Sequence, residues 1–212
     1  PEFAYEQGWT DGLPVFPPTR EVVQRMLDHV GRDPAEVIGT VFPGDGEATI
    51  ENIAANCAMA GCLPEYVPVV IAAVQCIVDP QLVITTTQST GSGSLLTIVT
   101  GPLVGKLGFH TREWFFGPNG GRPNATIGRA VRLVMWNIGH ARPGKLIKGT
   151  MGNAASWSYC IGEEQELTPW EPMHTDFGIA AGGSAVAVME GGERSHFAVP
   201  LQQAHHHGLA RR

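Results

Sequence analysis

Three side chains in the last third of the chain are of the types that move protons. Glu163 and Glu164 follow a segment in which apolar and polar residues alternate, and His174 follows the sequence Trp-Glu-Pro-Met. A carboxyl group whose pKa is raised by its neighbours can act as a general base, and histidine changes its charge near neutral pH. We therefore predict acid–base roles for Glu163, Glu164 and His174. The alternative for the carboxylates, which is the more common one, is a solvated acidic loop.

A second polar group lies in residues 44–62, around which we expect the rest of the chain to be organised. The segment opens with a Gly-Asp-Gly turn, and its later apolar residues recur at helical spacing, which predicts a helix. Glu47 lies four residues before Glu51 on this helix. Asn52 and Asn56 have the same spacing, so each pair can share one helix face. We predict that Glu47 is catalytic and that Asn52 and Asn56 bind substrate; a surface helix with ordinary caps is the alternative.

A third group lies on the helix that is expected after the loop at residues 117–123. Asn124 is its expected N-cap, and Arg129 and Arg132 lie three residues apart further along. The positive end of the helix dipole favours an anion at this point. We predict that Asn124 and Arg129 bind a carboxylate or another anion of the substrate. A well-capped helix with solvated arginines is the alternative.

The four cysteines do not form a recognisable metal or redox motif. The sequence contains no C-x-x-C pair and no zinc-ribbon spacing, and its histidines show neither H-x-H nor H-E-x-x-H spacing. Cys57 and Cys76 lie in apolar helical patterns and are expected to be buried, whereas Cys62 follows a probable helix end and is the best placed to be exposed and catalytic. We predict no cofactor, and a metal site only as a third possibility.

Composition and charge exclude several classes of protein. The 212 residues suit one domain or two small ones, and the hydrophobic content of 43% is enough for a core. A net charge of −6 argues against a nucleic-acid binder, and no run of 18 apolar residues can span a membrane. No signal peptide opens the sequence, which favours the cytoplasm. The charged content of only 16% favours an oligomer, because part of the surface then lies in a subunit contact.

The periodicities predict a single α/β domain at residues 4–192, followed by a flexible tail at residues 193–212. A proline-rich, extended arm precedes the first main helix, and residues 1–3 are left out of the fold prediction. Four main helices are expected to cover a mixed sheet. Its strands are expected near residues 82–88, 94–100, 157–162 and 184–190. The polar ends of the central helix, the Asn124 helix and the Glu163 loop are expected to converge on a cleft.

Five ordered segments resemble one known family. They are Trp-Thr-Asp-Gly-Leu-Pro at 9–14, Gly-Asp-Gly-Glu-Ala-Thr at 44–49, Met-Ala-Gly-Cys-Leu-Pro-Glu-Tyr at 59–66, Pro-Asn-Ala-Thr-Ile-Gly-Arg-Ala at 123–130 and Pro-Trp-Glu-Pro at 169–172. The chain resembles the UGSC-motif (seleno)protein family, which is described as thiol-disulfide oxidoreductase-like, over residues 8–189. The family's Cys/Sec-Gly-Ser-Cys motif is missing from this chain. The resemblance therefore implies either a partner subunit that carries the thiol motif or a different chemistry.

These observations predict an enzyme, or the substrate-binding subunit of one, that acts on a small polar or carboxylated molecule. Acid–base chemistry of the lyase, hydratase or isomerase type is the first hypothesis. A subunit of a thiol- or selenol-dependent oxidoreductase is an alternative, and a non-catalytic scaffold subunit is another. The expected partners are the small substrate and either further copies of the chain or a subunit with the thiol motif.

Overall fold

The first half of the chain begins with a short helix, an arm and a hairpin. In this computed structural model, which describes residues 2–82, 84, 90, 93–117, 120–150 and 152–190 and the backbone of 197–200, helix α1 is Glu2–Glu6 and helix α2 is Arg20–Val30. Residues 9–19, between them, contain no helix or strand, as the prolines predict. Strands β1 (Val37–Val41) and β2 (Gly46–Thr49) then form an antiparallel hairpin.

Two helices form the centre of the core. Helix α3 is Ile50–Ala60, and a 3₁₀ turn at Pro64–Tyr66 leads directly into helix α4, Val67–Val78. Most side chains of both helices are buried, because α3 packs against the long helix α6 (Arg122–Asn137) while α4 packs on the hairpin and on the sheet. Burial on nearly every side explains why α4 is almost wholly apolar, whereas α3 keeps Glu51 and Asn52 on an exposed face.

The second half of the chain builds a mixed sheet and one long helix. The elements are β3 (Leu95–Thr100), α5 (Leu103–Leu107), α6 (Arg122–Asn137), β4 (Cys160–Gly162), β5 (Ala185–Glu190) and β6 (Phe197–Pro200). The order in the sheet is β4-β3-β5-β6, with β3 parallel to β4 and antiparallel to β5. Because β3 and β4 are parallel, their carboxyl ends lie at the same edge of the sheet. The chain is therefore a single α/β domain with four main helices.

The structure corrects the predicted start of the central helix. Residues 46–49 form β2 and not the first turn of a helix, so Glu47 lies on a strand and does not share a helix face with Glu51. Thr49 caps α3, because its side-chain oxygen accepts a hydrogen bond of 3.1 Å from the N–H of Asn52. At Gly46 a Cβ atom would lie 2.1 Å from the carbonyl oxygen of Ile138, so the strand passes close to the end of α6.

The other boundaries agree with the predictions to different degrees. Helix α6 begins at Arg122, two residues before the predicted cap. The predicted strand at residues 82–88 lies largely outside the described residues, as do residue 1 and the three histidines at 205–207. Strand β6 lies within residues 193–212, which are predicted to be a flexible tail, and it pairs with β5.

Among the described residues, no helix is long and apolar enough to cross a membrane.

Candidate functional site

The shared edge of β3 and β4 carries a buried polar cluster. Thr100 ends β3, Glu163 directly follows β4, and His174 lies in the 3₁₀ turn Met173–Phe177. The hydroxyl oxygen of Thr100 lies 2.8 Å from Nδ1 of His174 and also contacts Oε2 of Glu163. His174 is fully buried, and its Nε2 lies 3.2 Å from the carbonyl oxygen of Ala180. Glu163 and His174, both predicted to move protons, are thus joined through one threonine hydroxyl.

The hydrogen bonds of this cluster involve both nitrogens of the imidazole and both oxygens of the carboxyl group. A carbonyl group can only accept, so the contact with Ala180 is a hydrogen bond when Nε2 of His174 carries the hydrogen. The Thr100 hydroxyl contacts both Nδ1 of His174 and Oε2 of Glu163. Oε1 of Glu163 accepts a hydrogen bond of 2.8 Å from the backbone N–H of Met173. The cluster therefore connects a carboxyl group to a buried imidazole through one hydroxyl.

Glu164 points to a different set of partners from Glu163. Its carboxylate accepts a hydrogen bond of 2.6 Å from the hydroxyl of Thr111 and lies 3.4 Å from the guanidinium group of Arg112. The Thr111 hydrogen bond, together with the backbone N–H of Glu166, holds the pKa of Glu164 below its ordinary value of 4.5. This direction is opposite to that expected of a general base. Glu47 is exposed on β2, and no described hydrogen bond or ion pair connects it to Glu163 or Glu164.

The side chain of Asn124 holds a loop. Asn124 is completely buried, and its amide accepts from the N–H of His110 at 2.9 Å and donates to the carbonyl oxygen of His110 at 3.0 Å. The prediction that Asn124 is the N-cap of its helix is therefore wrong, since it satisfies both backbone groups of a residue outside the helix. Sequence alone gives no signal for this contact, which requires the chain to fold back on itself.

The side chain of Arg129 holds the N-terminal arm. One of its terminal nitrogens lies 2.9 Å from Oδ1 of Asp11, and the guanidinium group also donates to the carbonyl oxygens of Leu13 and Pro14. All of these partners lie in the arm that precedes α2. Arg129 therefore donates its hydrogen bonds to groups of the protein itself. The substrate-binding role predicted for it would require the arm to move.

The two asparagines of α3 also bond within the protein. The side chain of Asn56 donates to the carbonyl oxygen of Asn52 at 2.9 Å and accepts from the side chain of Asn137 at 2.8 Å. Asn137 in turn donates to the carbonyl oxygen of Trp9 in the arm at 3.1 Å. Asn56 is buried, whereas the side chain of Asn52 is exposed. This chain of amides connects α3 to α6 and to the arm.

All four cysteines are free and buried. Only 6% of the surface of Cys62 is exposed to solvent, so the prediction that it is the exposed cysteine is wrong. Its thiol donates to the carbonyl oxygen of Thr126 at 3.3 Å, a hydrogen bond that a thiolate could not make. Burial raises the pKa of Cys57 well above its ordinary value, and contact with the Cys62 thiol raises it further. Cys160 is shifted in the same direction by burial.

A cavity of about 520 Å³ lies at the opposite end of the sheet from the polar cluster. It is bounded by α6, by the start of β3 and by residues 141–159. Its apolar wall includes Val131, Met135 and Ile147, and its aromatic wall includes Trp136, Trp157 and Tyr159. The hydroxyls of Ser94 and Ser156, which also line it, bond to each other at 3.0 Å. The cavity therefore combines an apolar interior with a small number of polar groups, which is typical of small-molecule sites.

Arg132 is the cation that faces this cavity. Its guanidinium carbon lies 5.3 Å from the centroid of the Trp136 ring, and that of Arg142 lies 5.7 Å from the same centroid. Among the described residues, neither guanidinium group has a hydrogen-bond acceptor or forms an ion pair. Burial lowers the pKa of Arg132 from its ordinary value, although the nearby carboxylate of Asp11 opposes this effect. The donors of Arg132 are therefore available to an acceptor in the cavity.

The N-terminal arm fixes two of the aromatic side chains that line the cavity. The indole N–H of Trp136 donates to the carbonyl oxygen of Gly8 at 2.9 Å, and that of Trp157 donates to the carbonyl oxygen of Asp11 at 3.2 Å. Asp11 itself lines the cavity and is paired with Arg129. In the sequence Arg132 is only a neighbour of Arg129 on one helix. What distinguishes the two arginines is the arm, whose groups accept hydrogen bonds from Arg129 and not from Arg132.

The three elements predicted to converge are connected by contacts. Arg122 at the start of α6 donates to the carbonyl oxygen of Gly61 at the end of α3, and residues 110 and 111 contact Asn124 and Glu164 respectively. The cavity described above lies elsewhere, beside the start of β3. Over the described part of the chain, no three His, Cys, Asp or Glu side chains come together in a way that could hold a metal ion. Comparison of the chain with models of known protein families, with curated proteins and with solved structures gave no match.

Proposed function

We propose that the chain binds a small molecule with an anionic group in the cavity beside α6, and that it serves as the substrate-binding part of an enzyme. The observation that carries this proposal is the guanidinium group of Arg132, which lines the cavity and contacts the Trp136 ring but has no hydrogen-bond acceptor or ion-pair partner among the described residues. A bound carboxylate or similar anion would supply the missing charge and accept its hydrogen bonds.

The charges around the cavity support an anionic ligand. Three arginines lie near the part of α6 that lines the cavity: Arg129, Arg132 and Arg142. Asp11 is the one carboxylate among the described lining residues. Asp11 is already paired with Arg129. With Asp11 paired to Arg129, the guanidinium groups of Arg132 and Arg142 leave a local excess of positive charge, and such a local potential attracts an anionic ligand. An anion in the cavity would offset that excess.

The proposal can be tested by the thermal stabilisation that ligands give to the full-length chain. We expect small carboxylates to raise the Tm of the wild type by about 5 °C or more at concentrations near 100 Kd. Arg132→Met keeps the length of the side chain but removes the charge, so the shift should disappear. Arg25→Met, which removes an exposed charge on α2, is the matched control and should retain it. An equal shift in Arg132→Met would contradict the proposal.

Acid–base chemistry at Thr100, Glu163 and His174 is a second proposal, favoured by the contacts that connect the Glu163 carboxyl group to the buried His174 ring through the Thr100 hydroxyl. A molecule in the cavity lies beyond the reach of this cluster, because β3 extends from Leu95 at the cavity to Thr100 over about 17 Å. The cluster would therefore act at a second site, reached through the partly exposed Glu163. This separation makes ligand binding the better-supported function.

The second proposal can be tested by searching for lyase, hydratase or isomerase turnover of small carboxylated molecules. His174→Gln should abolish turnover without changing the affinity for carboxylates at the cavity. Glu47→Gln, a charge change on the exposed face of β2, provides the comparison with another residue that the sequence predicts to be catalytic. If His174→Gln alters the free energy of unfolding but no turnover is lost, the cluster is structural.

A further inference from the structure

Building on the proposed function, we infer that the ligand of the cavity is an aromatic carboxylic acid, with its carboxylate on Arg132 and its ring against the aromatic wall. Three observations carry this inference: Arg132 as the one cation among the described lining residues, the part of α6 that lines the cavity, and the fixed positions of two indole rings.

The charged group is better matched by a carboxylate than by a phosphate. Phosphate sites commonly use the free N–H groups at a helix N-terminus together with several cations. Here α6 begins at Arg122 but lines the cavity only from Gly128 onward, where its N–H groups are bonded within the helix. Arg132 is the one cation among the described lining residues. Its planar fork of donors fits a carboxylate through two parallel hydrogen bonds.

The body of the ligand is indicated by the aromatic wall. Trp136, Trp157 and Tyr159 all line the cavity, and the first two are held by hydrogen bonds from their indole N–H groups to the arm. Two guanidinium groups already contact the Trp136 ring, which leaves Trp157 and Tyr159 for the ligand. The centroid of the Phe116 ring lies 5.8 Å from that of Tyr159. Rings that are already in place lose little conformational entropy on binding, so a flat aromatic ligand can stack on Trp157 or Tyr159 at low cost.

The volume limits the size of the ligand. At about 520 Å³ the cavity lies in the lower part of the range of small-molecule sites. The apolar side chains of Val131, Met135 and Ile147 can cover the remaining faces of a one- or two-ring system. A bicyclic acid of the naphthoate type therefore combines the required charge, flatness and size.

The test is isothermal titration calorimetry of the full-length chain with matched acids. Benzoate, phenylacetate, indole-3-carboxylate and 2-naphthoate sample the aromatic class. Two analogues of 2-naphthoate separate the contributions of charge and ring. 2-Naphthamide lacks the charge, and decahydronaphthalene-2-carboxylate has the charge but lacks the aromatic ring. We expect the amide to bind at least tenfold more weakly than naphthoate, because it lacks the charge-assisted hydrogen bonds. We expect the saturated acid to bind about fivefold more weakly, because it cannot stack.

Variants separate the two levels of the proposal. Arg132→Met should lower the affinity for every acid to that of the amide, and Arg132→Lys should give an intermediate loss, which also provides a second variant if the first fails to fold. Trp157→Leu should reduce the preference for naphthoate over the saturated acid while leaving the dependence on charge unchanged. The control variant Arg25→Met should leave all affinities unchanged.

The possible failures are distinguishable. If the saturated acid binds as tightly as naphthoate and both depend on Arg132, the aromatic class is wrong and the proposed function stands. If the amide binds as tightly as the acid, or Arg132→Met changes no affinity, both are wrong. If no member of the aromatic panel binds at millimolar concentration, the inference of an aromatic acid is overturned, and the thermal-shift test on other anions decides the proposed function.

Discussion

Asp11 and Arg129 are separated by 118 positions in the sequence, and one nitrogen of the guanidinium group lies 2.9 Å from Oδ1 of the carboxylate. In this pair, 1% of the Asp11 side chain and 14% of the Arg129 side chain are exposed to solvent. The pair fixes the N-terminal arm on α6. Since the arm also holds the indole groups of Trp136 and Trp157, the same ion pair positions the aromatic wall of the cavity.

Breaking this pair should destabilise the protein strongly. Removal of one partner from a buried pair leaves the other charge uncompensated, so we expect Asp11→Asn to lower the free energy of unfolding by about 3 kcal/mol. Urea unfolding measures this change. Glu36→Gln is the matched control, because the Arg32–Glu36 pair is much more exposed, at 34% and 41%, and should contribute less than about 1 kcal/mol. Equal effects of the two variants would show that burial of the Asp11 pair has no energetic consequence.

The approach of α6 to β4 depends on Gly128. A Cβ atom at this position would lie 2.4 Å from Oγ of Ser158 and 2.7 Å from the backbone nitrogen of Tyr159. Replacement of a helical glycine by alanine is ordinarily favourable by about 1 kcal/mol, but here the backbone of the neighbouring segment cannot move aside easily. We therefore expect Gly128→Ala to destabilise the protein by about 2 kcal/mol in urea unfolding.

Gly105 in α5 provides the matched control for this prediction. No other atom lies within 4 Å of a Cβ built there, so Gly105→Ala should be neutral or stabilising by up to about 1 kcal/mol. If Gly128→Ala stabilised the chain as much as Gly105→Ala, α6 and β4 would not be in the close contact that the structure shows. The cavity offers a second measurement, because Gly128 lines it and a shift of α6 would alter its affinity for carboxylates.

Sequence periodicity predicts well those elements whose conformation is determined by their own residues. Strands β3 and β5 begin one residue after their predicted starts and end at their predicted ends. Strand β2 was missed because its conformation depends on pairing with β1 and not on its own residues.

The candidate site was harder to predict for the same reason. Arg129 and Arg132 are equivalent in sequence, and only the arm, which comes from the far end of the chain, makes one structural and leaves the other facing the cavity. The link between Glu163 and His174 runs through Thr100, a β3 residue that carries no motif of its own. The catalytic and substrate-binding roles of the predicted residues stay predictions.

Thiol reactivity tests the alternative of an oxidoreductase subunit. All four cysteines are buried, and the pKa of Cys57 and that of Cys160 are raised by burial, so neither forms a thiolate readily. We expect no thiol of the native chain to react with a disulfide reagent faster than the protein unfolds, whereas the denatured chain should give four equivalents. A single thiol that reacts rapidly in the native chain, assigned to Cys62 by peptide mapping, would contradict this and support a redox role.

The hydrogen bond between Thr111 and Glu164 should be visible in the pH dependence of the protein. It is the largest cause of the lowered pKa of Glu164, followed by the backbone N–H of Glu166. Because the folded pKa lies below the unfolded value, the contribution of Glu164 to stability is present above about pH 4.5 and is lost as the pH falls through the folded pKa. Thr111→Val removes the hydroxyl donor, so the pKa of Glu164 should rise towards 4.5.

A carboxyl NMR titration of the wild type and of Thr111→Val measures this shift directly. Glu36 is an internal control in both proteins, because its pKa is lowered chiefly by Arg32 and should not respond to a change at Thr111. An unchanged pKa of Glu164 in the variant would show that the backbone N–H groups and Arg112 hold the carboxylate without the threonine. A pKa of Glu164 above 4.5 in the wild type would reverse the direction found here and restore its candidacy as a general base.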